Sequence, residues 1–124
     1  MADTVDRSTY FTRHELACRH TGLCLMDKEF MEALDRLRLA YGSPMILSSA
    51  YRDPSHPEEA GKKTTGYHPK GRAVDVLVSG RDAHRLVGLA IMAGFGGIGI
   101  SQKGPHGGRF VHLDNRSAAT IWSY

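Results

Sequence analysis

Two histidines and one aspartate in this sequence are residue types that can bind a divalent metal ion together. His68 and Asp75 lie in the run 66–75, and His112 lies in the run 110–114. Two neutral imidazoles and one carboxylate form a three-ligand set that leaves a fourth tetrahedral position open for water, and such a site performs hydrolysis. Buried, hydrogen-bonded His and Asp are also common in ordinary protein cores, so the residue types alone leave a purely structural role open.

The sequence around Asp75 and His112 alternates as β-strands do. A strand at 72–78 would hold Asp75 on one face together with small and apolar neighbours. A strand at 109–114 would place His112 and Asp114 on the same face, where Asp114 can orient the imidazole ring. Strands hold side chains rigidly, so both positions suit metal ligands.

The remaining elements follow from capping residues and hydrophobic spacing. Asp27 can cap a helix whose apolar residues recur at helical spacing and which Gly42 ends. We also predict a helical turn at 12–15, strands at 45–50 and 98–101, a helix at 82–93, a polar functional loop at 53–65 and a hairpin loop at 103–108. This mixture predicts an α+β fold with a small, mainly antiparallel sheet flanked by helices.

Length and composition limit the class of protein. The 124 residues, 41% of them hydrophobic, suit one compact domain, which we place at residues 10–124 after an N-terminal extension at residues 1–9. The net charge of +3 fits a polyanionic substrate or surface but argues against a dedicated nucleic-acid reader. No stretch is apolar and long enough for membrane insertion, and residues 1–7 contain no signal peptide. We therefore expect a monomer that is synthesised in the cytoplasm.

Cys18 and Cys24 lie in a short polar loop, and several roles remain open for them. A cytoplasmic chain usually keeps its thiols reduced, and the favoured interpretation is two local structural thiols or a disulfide that closes the loop. A second metal site with His14 or His20 is the less favoured alternative, because a Cys-x5-Cys pair is not one of the tight zinc spacings.

The three candidate ligands stand in a longer pattern. The sequence His-x2-Gly-x-Ala-x-Asp that begins at His68, followed by His-x-Asp at His112, resembles the zinc D-Ala-D-Ala carboxypeptidase family of peptidoglycan peptidases. The resemblance extends over about residues 10–124 and includes a strand ending in Tyr-Arg at 47–52, a Gly-Phe-x-Gly-Ile-Gly turn at 94–99, and the tail residues Arg116 and Trp122. It implies the fold that this family shares with the hedgehog signalling domain.

The resemblance also implies a role for each matching residue. His68, Asp75 and His112 would bind zinc. Arg52 would pair through its two-pronged guanidinium with a carboxylate of the peptidoglycan peptide substrate. The family cleaves several kinds of peptidoglycan bond, and the sequence has no readable code for the bond cut here. Without a signal peptide, the enzyme would reach the cell wall after release through a breached membrane, or as part of a virus particle.

One position departs from the family pattern. Many relatives carry an acidic residue three positions before the last zinc histidine, where it takes a proton from the attacking water, but this chain has Arg109 there. Arginine stays protonated and cannot serve as a base. His106 is the first alternative, followed by Asp114 and then by Glu58 and Glu59. If none of them serves, the domain would be a non-catalytic zinc-containing module that binds wall peptides or belongs to a virion.

Overall fold

A computed structural model describes residues 3–62 and 66–124. The helices in these ranges are α1 (Arg13–Leu16), α2 (Lys28–Tyr41), α3 (Pro57–Ala60) and α4 (Gly80–Met92). The strands are β1 (Thr4–Val5), β2 (Met26–Asp27), β3 (Ile46–Ser49), β4 (Ala73–Leu77), β5 (Gly97–Ser101), β6 (Phe110–Asp114) and β7 (Thr120–Ser123). A short 3₁₀ turn spans His106–Gly108 between β5 and β6.

The main sheet has five strands in the spatial order β3-β4-β6-β5-β7. The pairs β3–β4, β4–β6 and β5–β6 are antiparallel, whereas β5 and β7 run parallel. Strands β1 and β2 form a separate antiparallel ribbon. The predicted α+β fold with a mainly antiparallel sheet is therefore confirmed.

The two central strands bring the chemically interesting residues together. Asp75 of β4 is the register partner of His112 of β6, and Ala73 is the partner of Asp114. On the other side of β6, Gly99 of β5 is the partner of His112. Paired strands lie about 4.8 Å apart, so this register places a carboxylate and an imidazole side by side in the middle of the sheet.

Helix α2 begins and ends where its sequence predicts. The Asp27 side chain accepts a hydrogen bond from the backbone N–H of Phe30, and Gly42 follows the helix in the left-handed region with φ 76°. Helix α4 packs against α2 and also contacts β6. The buried helical residues include Phe30, Leu34, Leu37, Leu86 and Ala90. Burial of each of the larger apolar side chains among them contributes about 1.5–3 kcal/mol to stability.

Within the two described ranges, no helix is both long and apolar enough to cross a membrane.

The other predicted helices and strands differ from the observed ones by one or two residues at their ends, but among the described residues one short α-helix and three short strands were not predicted. Helix α3 lies inside the predicted loop at 53–65, where Pro57 stands at the helix start and His56 caps it by accepting the N–H of Glu58. Part of that loop, residues 63–65, lies outside the described residues. Strands β1 and β2 have only two residues each, and β7 depends on pairing with a distant segment, so none of the three has a readable local pattern.

The N-terminal segment and the cysteines pack against the rest of the structure. Strand β1, which lies in the segment predicted as an extension, pairs with β2, and the Ser8 hydroxyl donates to Asp35 at 2.8 Å. Cys18 and Cys24 are free, buried thiols. The Cys18 sulfur accepts the backbone N–H of Asp53 at 3.3 Å, which gives this thiol a structural role.

Candidate metal centre

His68, Asp75 and His112 meet in one buried cluster. Each offers one ligand atom, and these atoms all lie within 4.8 Å of one another. His68 stands in the turn that precedes β4, Asp75 in the middle of β4, and His112 in the middle of β6. Each of the three residues is only 5–6% exposed. The structure therefore brings together the three residues that were proposed as ligands from the sequence.

His68 presents its Nε2 atom to the cluster because its Nδ1 atom is engaged elsewhere. Nδ1 lies 2.7 Å from the carbonyl oxygen of Ala50, which can only accept, so Nδ1 carries the proton. Nε2 lies 3.4 Å from Oδ1 of Asp75. The turn that delivers the ring requires Gly71, since its φ is +69° and a Cβ there would collide with the carbonyl oxygen of Leu25.

His112 presents its other ring nitrogen. Its Nδ1 lies 3.0 Å from Oδ1 of Asp75, and its Nε2 lies 2.7 Å from Oδ2 of Asp114. Asp114 is fully buried and forms an ion pair with Arg116. An ionised carboxylate only accepts hydrogen bonds, so His112 donates its Nε2–H to Asp114, and its Nδ1 would offer a lone pair once a metal ion takes the place of a proton facing Asp75.

The donor set itself fits a divalent cation. With these two tautomers, the Nε2 lone pair of His68, the Nδ1 lone pair of His112 and a carboxylate oxygen of Asp75 face one another with no hydrogen between them. Three acceptors this close in a buried site repel one another unless a cation lies among them or the rings take up further protons. Two imidazoles and one carboxylate are a zinc-type ligand set, so these three residues would hold the ion.

The charges in the cluster are strongly coupled. Burial alone would raise the pKa of Asp75, but in the metal-free protein the rings of His112 and His68 can take up these further protons, and their hydrogen bonds then hold this pKa far below its usual range. Burial opposes charge on His112 as well, yet the carboxylates of Asp114 and Asp75 raise the pKa of its ring. The pKa of Asp114 is lowered, against the effect of burial, by Arg116 and His112. The site thus stabilises positive charge between two carboxylates.

The cluster forms part of the wall of a cavity of about 570 Å³. This volume is in the range of sites that bind small ligands. The rest of the wall carries both charges and aromatic rings: Arg52, Glu58, Glu59, Lys62, Tyr67, Phe110, Arg116, Trp122 and Tyr124. Such a wall suits a polar ligand that bears carboxylates.

Arg52 lines this cavity, and its guanidinium already has partners within the protein. Nη1 donates to Oε2 of Glu59 at 3.1 Å, and Nη2 donates to Oδ2 of Asp75 at 3.2 Å. Lys62 lies 3.2 Å from the same Glu59 carboxylate. Arg52 therefore fixes the second oxygen of Asp75, and its predicted pairing with a substrate carboxylate stays a prediction.

The four residues considered as proton acceptor lie in different surroundings. His106 is exposed in the 3₁₀ turn and is not one of the described residues that line the cavity. Asp114 is fully buried and binds His112. Glu58 and Glu59 line the cavity. Access to the cavity therefore favours the two glutamates, while catalytic roles for His106 and Asp114 stay predictions.

Arg109 belongs to a different part of the surface. Its Nε donates to the carbonyl oxygen of Gly104 at 3.1 Å, and it lines a separate, mainly apolar cavity with Val87 and Ile100. Side chains alternate along a strand, so a residue three positions before His112 points away from the ligand cluster. Arg109 therefore takes no part in the candidate metal centre of this chain.

Three further residues surround the ligands, and no spacing rule pointed to them. The Arg116 guanidinium lies over the rings of Tyr67 and Trp122, at 4.8 and 4.6 Å from the ring centres. Trp122 also packs against His112, with 5.1 Å between ring centres. Arg116 and Trp122 could be found only through the resemblance, and the only sequence signal for Tyr67 is its place next to His68.

The chain matches a known protein family over most of its length. A family profile described as Peptidase M15 matches residues 9–114, a range that contains all three residues of the ligand cluster. No curated protein matches the chain at the significance threshold of that search.

Proposed function

This chain belongs to the Peptidase M15 family, and we propose that it is a zinc-dependent peptidase that hydrolyses an amide bond in peptidoglycan stem peptides or cross-links. The convergence of His68, Asp75 and His112 in one buried cluster carries the proposal. All three also line the cavity. A set of three protein ligands leaves a coordination position free, as catalytic zinc sites do and structural zinc sites do not.

The ion and the residues around the cluster would have different roles in the hydrolysis. When bound, a zinc ion would lower the pKa of its water to near neutrality, and the ion itself would polarise the amide carbonyl. Ala50 and Asp114 hold the two imidazole rings, so the ligand atoms are in place before a substrate arrives. The cavity walls then have to orient the peptide and accept one proton.

The cations of the cavity support a substrate that carries carboxylates. Arg52, Lys62 and Arg116 all line it. Each terminal nitrogen of Arg52 uses one N–H for its protein partner and keeps a second. We infer that a stem-peptide carboxylate bonds to these remaining N–H groups, which would orient the scissile amide at the ligand cluster.

Glu58 or Glu59 is the proposed proton acceptor, because both carboxylates line the cavity. Glutamine has the shape of glutamate without its basicity, so E58Q or E59Q should lower kcat by about 10²–10⁴-fold while zinc content stays unchanged. The variant H106A is measured beside them, because His106 is the proton acceptor that the sequence analysis placed first. A comparable loss of kcat in H106A, with both glutamine variants active, would transfer the role to His106.

The proposed activity is tested on purified peptidoglycan. Protein stripped by a chelator should release nothing, protein reloaded with one equivalent of zinc should release peptides, and mass spectrometry of the products identifies the bond cut. H112A, which removes one ligand, is the negative control. Cleavage that continues after complete removal of metal would overturn the zinc mechanism.

A second candidate function is favoured by Arg109, which stands where many relatives have their acidic residue. It is a zinc-containing domain that binds wall peptides without cleaving them. Titration calorimetry with soluble muropeptides separates the two candidates. Binding by the zinc-loaded protein, with no new product after prolonged incubation, would select the binding module.

A further inference from the structure

We propose that Arg116 is a positioning residue of the metal centre, which acts through Asp114 to fix the nitrogen that His112 turns towards the ion. This inference rests on the proposed metal site. It concerns the orientation of one ligand and does not depend on which bond is cut.

Three N–H groups of Arg116 donate to the carboxylate of Asp114, and we call this set of hydrogen bonds the clamp. The guanidinium Nε donates to Oδ1 at 2.9 Å, and Nη2 donates to Oδ2 at 2.6 Å. The backbone N–H of Arg116 donates to Oδ1 at 3.0 Å. These bonds fix the plane of the carboxylate, so that Oδ2 lies 2.7 Å from Nε2 of His112.

The clamp is itself held between aromatic rings. Arg116 lies over Tyr67, which precedes His68, and over Trp122, which packs against His112. The same guanidinium thus contacts the residue before His68 and a ring that packs against His112. Attraction between a cation and the faces of aromatic rings favours this position of the guanidinium.

Neighbouring glycines make room for this arrangement. A Cβ at Gly97 would collide with the carboxylate of Asp114, and a Cβ at Gly99 would approach the Trp122 ring to 2.7 Å. Both glycines lie on β5, directly beside β6. The close packing of β5 against the clamp leaves Asp114 and Trp122 little space to reorient.

The orientation of His112 matters because a histidine ring can flip about its Cβ–Cγ bond. A flip exchanges Nδ1 with a carbon atom, and the ring would then present a C–H group where the ion needs a lone pair. The hydrogen bond from Nε2–H to Asp114 opposes this flip and also selects the tautomer with a free Nδ1. Loss of the clamp should therefore weaken metal binding without removing any ligand.

The first test measures zinc affinity of the full chain by competition with a chromophoric chelator. R116Q should bind zinc about 10–100-fold more weakly than wild type, the range found when partners that orient metal ligands are removed. R72Q is the matched control, because Arg72 stacks on the same Tyr67 ring and donates to Asn115 instead of Asp114. R72Q should keep wild-type affinity.

The second test reads the ring directly by ¹⁵N NMR of the histidine side chains. Zinc-loaded wild type should show the His112 proton on Nε2, and R116Q and D114N should show a mixture of tautomers or a mobile ring. R116K keeps the charge but lacks the fork, so its affinity should lie between those of R116Q and wild type.

The outcomes separate this inference from the proposed function. A wild-type protein that takes up no zinc would refute the metal site itself. Thermal melting first shows which of the variants R116Q and R116K is folded. If the wild type binds zinc and the folded variant equals it in zinc affinity and in the His112 spectrum, the role of Arg116 alone is overturned.

Discussion

Replacing Gly97 with alanine should disturb the metal centre from the adjacent strand. A Cβ at Gly97 would collide with the carboxylate of Asp114, which is fully buried. That carboxylate cannot move aside freely, because His112 and Arg116 both bond to it. Either β5 shifts away from β6, or the carboxylate loses one of its partners.

The cost can be worked out from these two routes. The first route overpacks a close-packed core, which costs about 1–3 kcal/mol, and the second breaks one hydrogen bond between charged groups, which costs about 1.5–3 kcal/mol. We therefore expect G97A to lose about 1–3 kcal/mol of the free energy of unfolding by either route. That is a substantial fraction of the about 5–15 kcal/mol typical of a domain. Zinc affinity should fall as well, since a displaced Asp114 no longer orients His112.

Urea unfolding of the metal-free protein, followed by circular dichroism, measures the loss of stability. Gly88 provides the control, because it lies inside α4 and a Cβ there meets open space. G88A should be stabilised by about 0.8–1 kcal/mol, the difference in helix propensity between the two residues. If G97A unfolds within about 0.5 kcal/mol of wild type and binds zinc equally well, the carboxylate is not held as described.

Three further predictions concern the ligands and the core. D75N should lower zinc content from one equivalent to nearly none in native mass spectrometry, and equimolar zinc in this variant would exclude Asp75 as a ligand. Burial opposes the charge on His112, but Asp114 and Asp75 raise its pKa; the stability of the metal-free protein should fall, and zinc affinity should rise, as the pH rises through this pKa. Flat profiles of both quantities would contradict this coupling. L34A should cost about 2–5 kcal/mol in urea unfolding, because Leu34 is fully buried, and a cost below about 1 kcal/mol would show that the helix layer repacks.

The sequence predicted those elements whose signals are local. Helix α2 has its cap at Asp27, its stop at Gly42 and a buried apolar stripe between them, all within one short segment. Strand β7 is different because it is held by parallel pairing with β5, about twenty residues earlier in the chain. Nothing in the residues of β7 encodes that partner, and tertiary context decides such pairings.

In the candidate site, too, contacts with a local sequence signal could be predicted, and contacts between distant segments could not. Alternation along β6 was enough to place Asp114 beside His112, and the structure shows the two in contact. The bonds from Arg52 to Glu59 and Asp75 depend on Arg52 lying between α3 and β4 in space, which no spacing rule describes. The sequence could therefore name the ligands and one of their supports, but not the carboxylates that compete for Arg52.

The use of opposite nitrogens by the two histidines follows from where each residue sits in the fold. His112 and Asp75 are direct partners across paired strands, and at that short separation the nitrogen nearer the backbone, Nδ1, meets the carboxylate. His68 approaches from a turn outside the sheet, so its more distant Nε2 reaches the same oxygen while Nδ1 bonds to Ala50. Each ring then has a remaining nitrogen directed at a protein acceptor, which fixes its tautomer. Strand register thus determines the chemistry of the cluster as directly as the choice of ligand residues does.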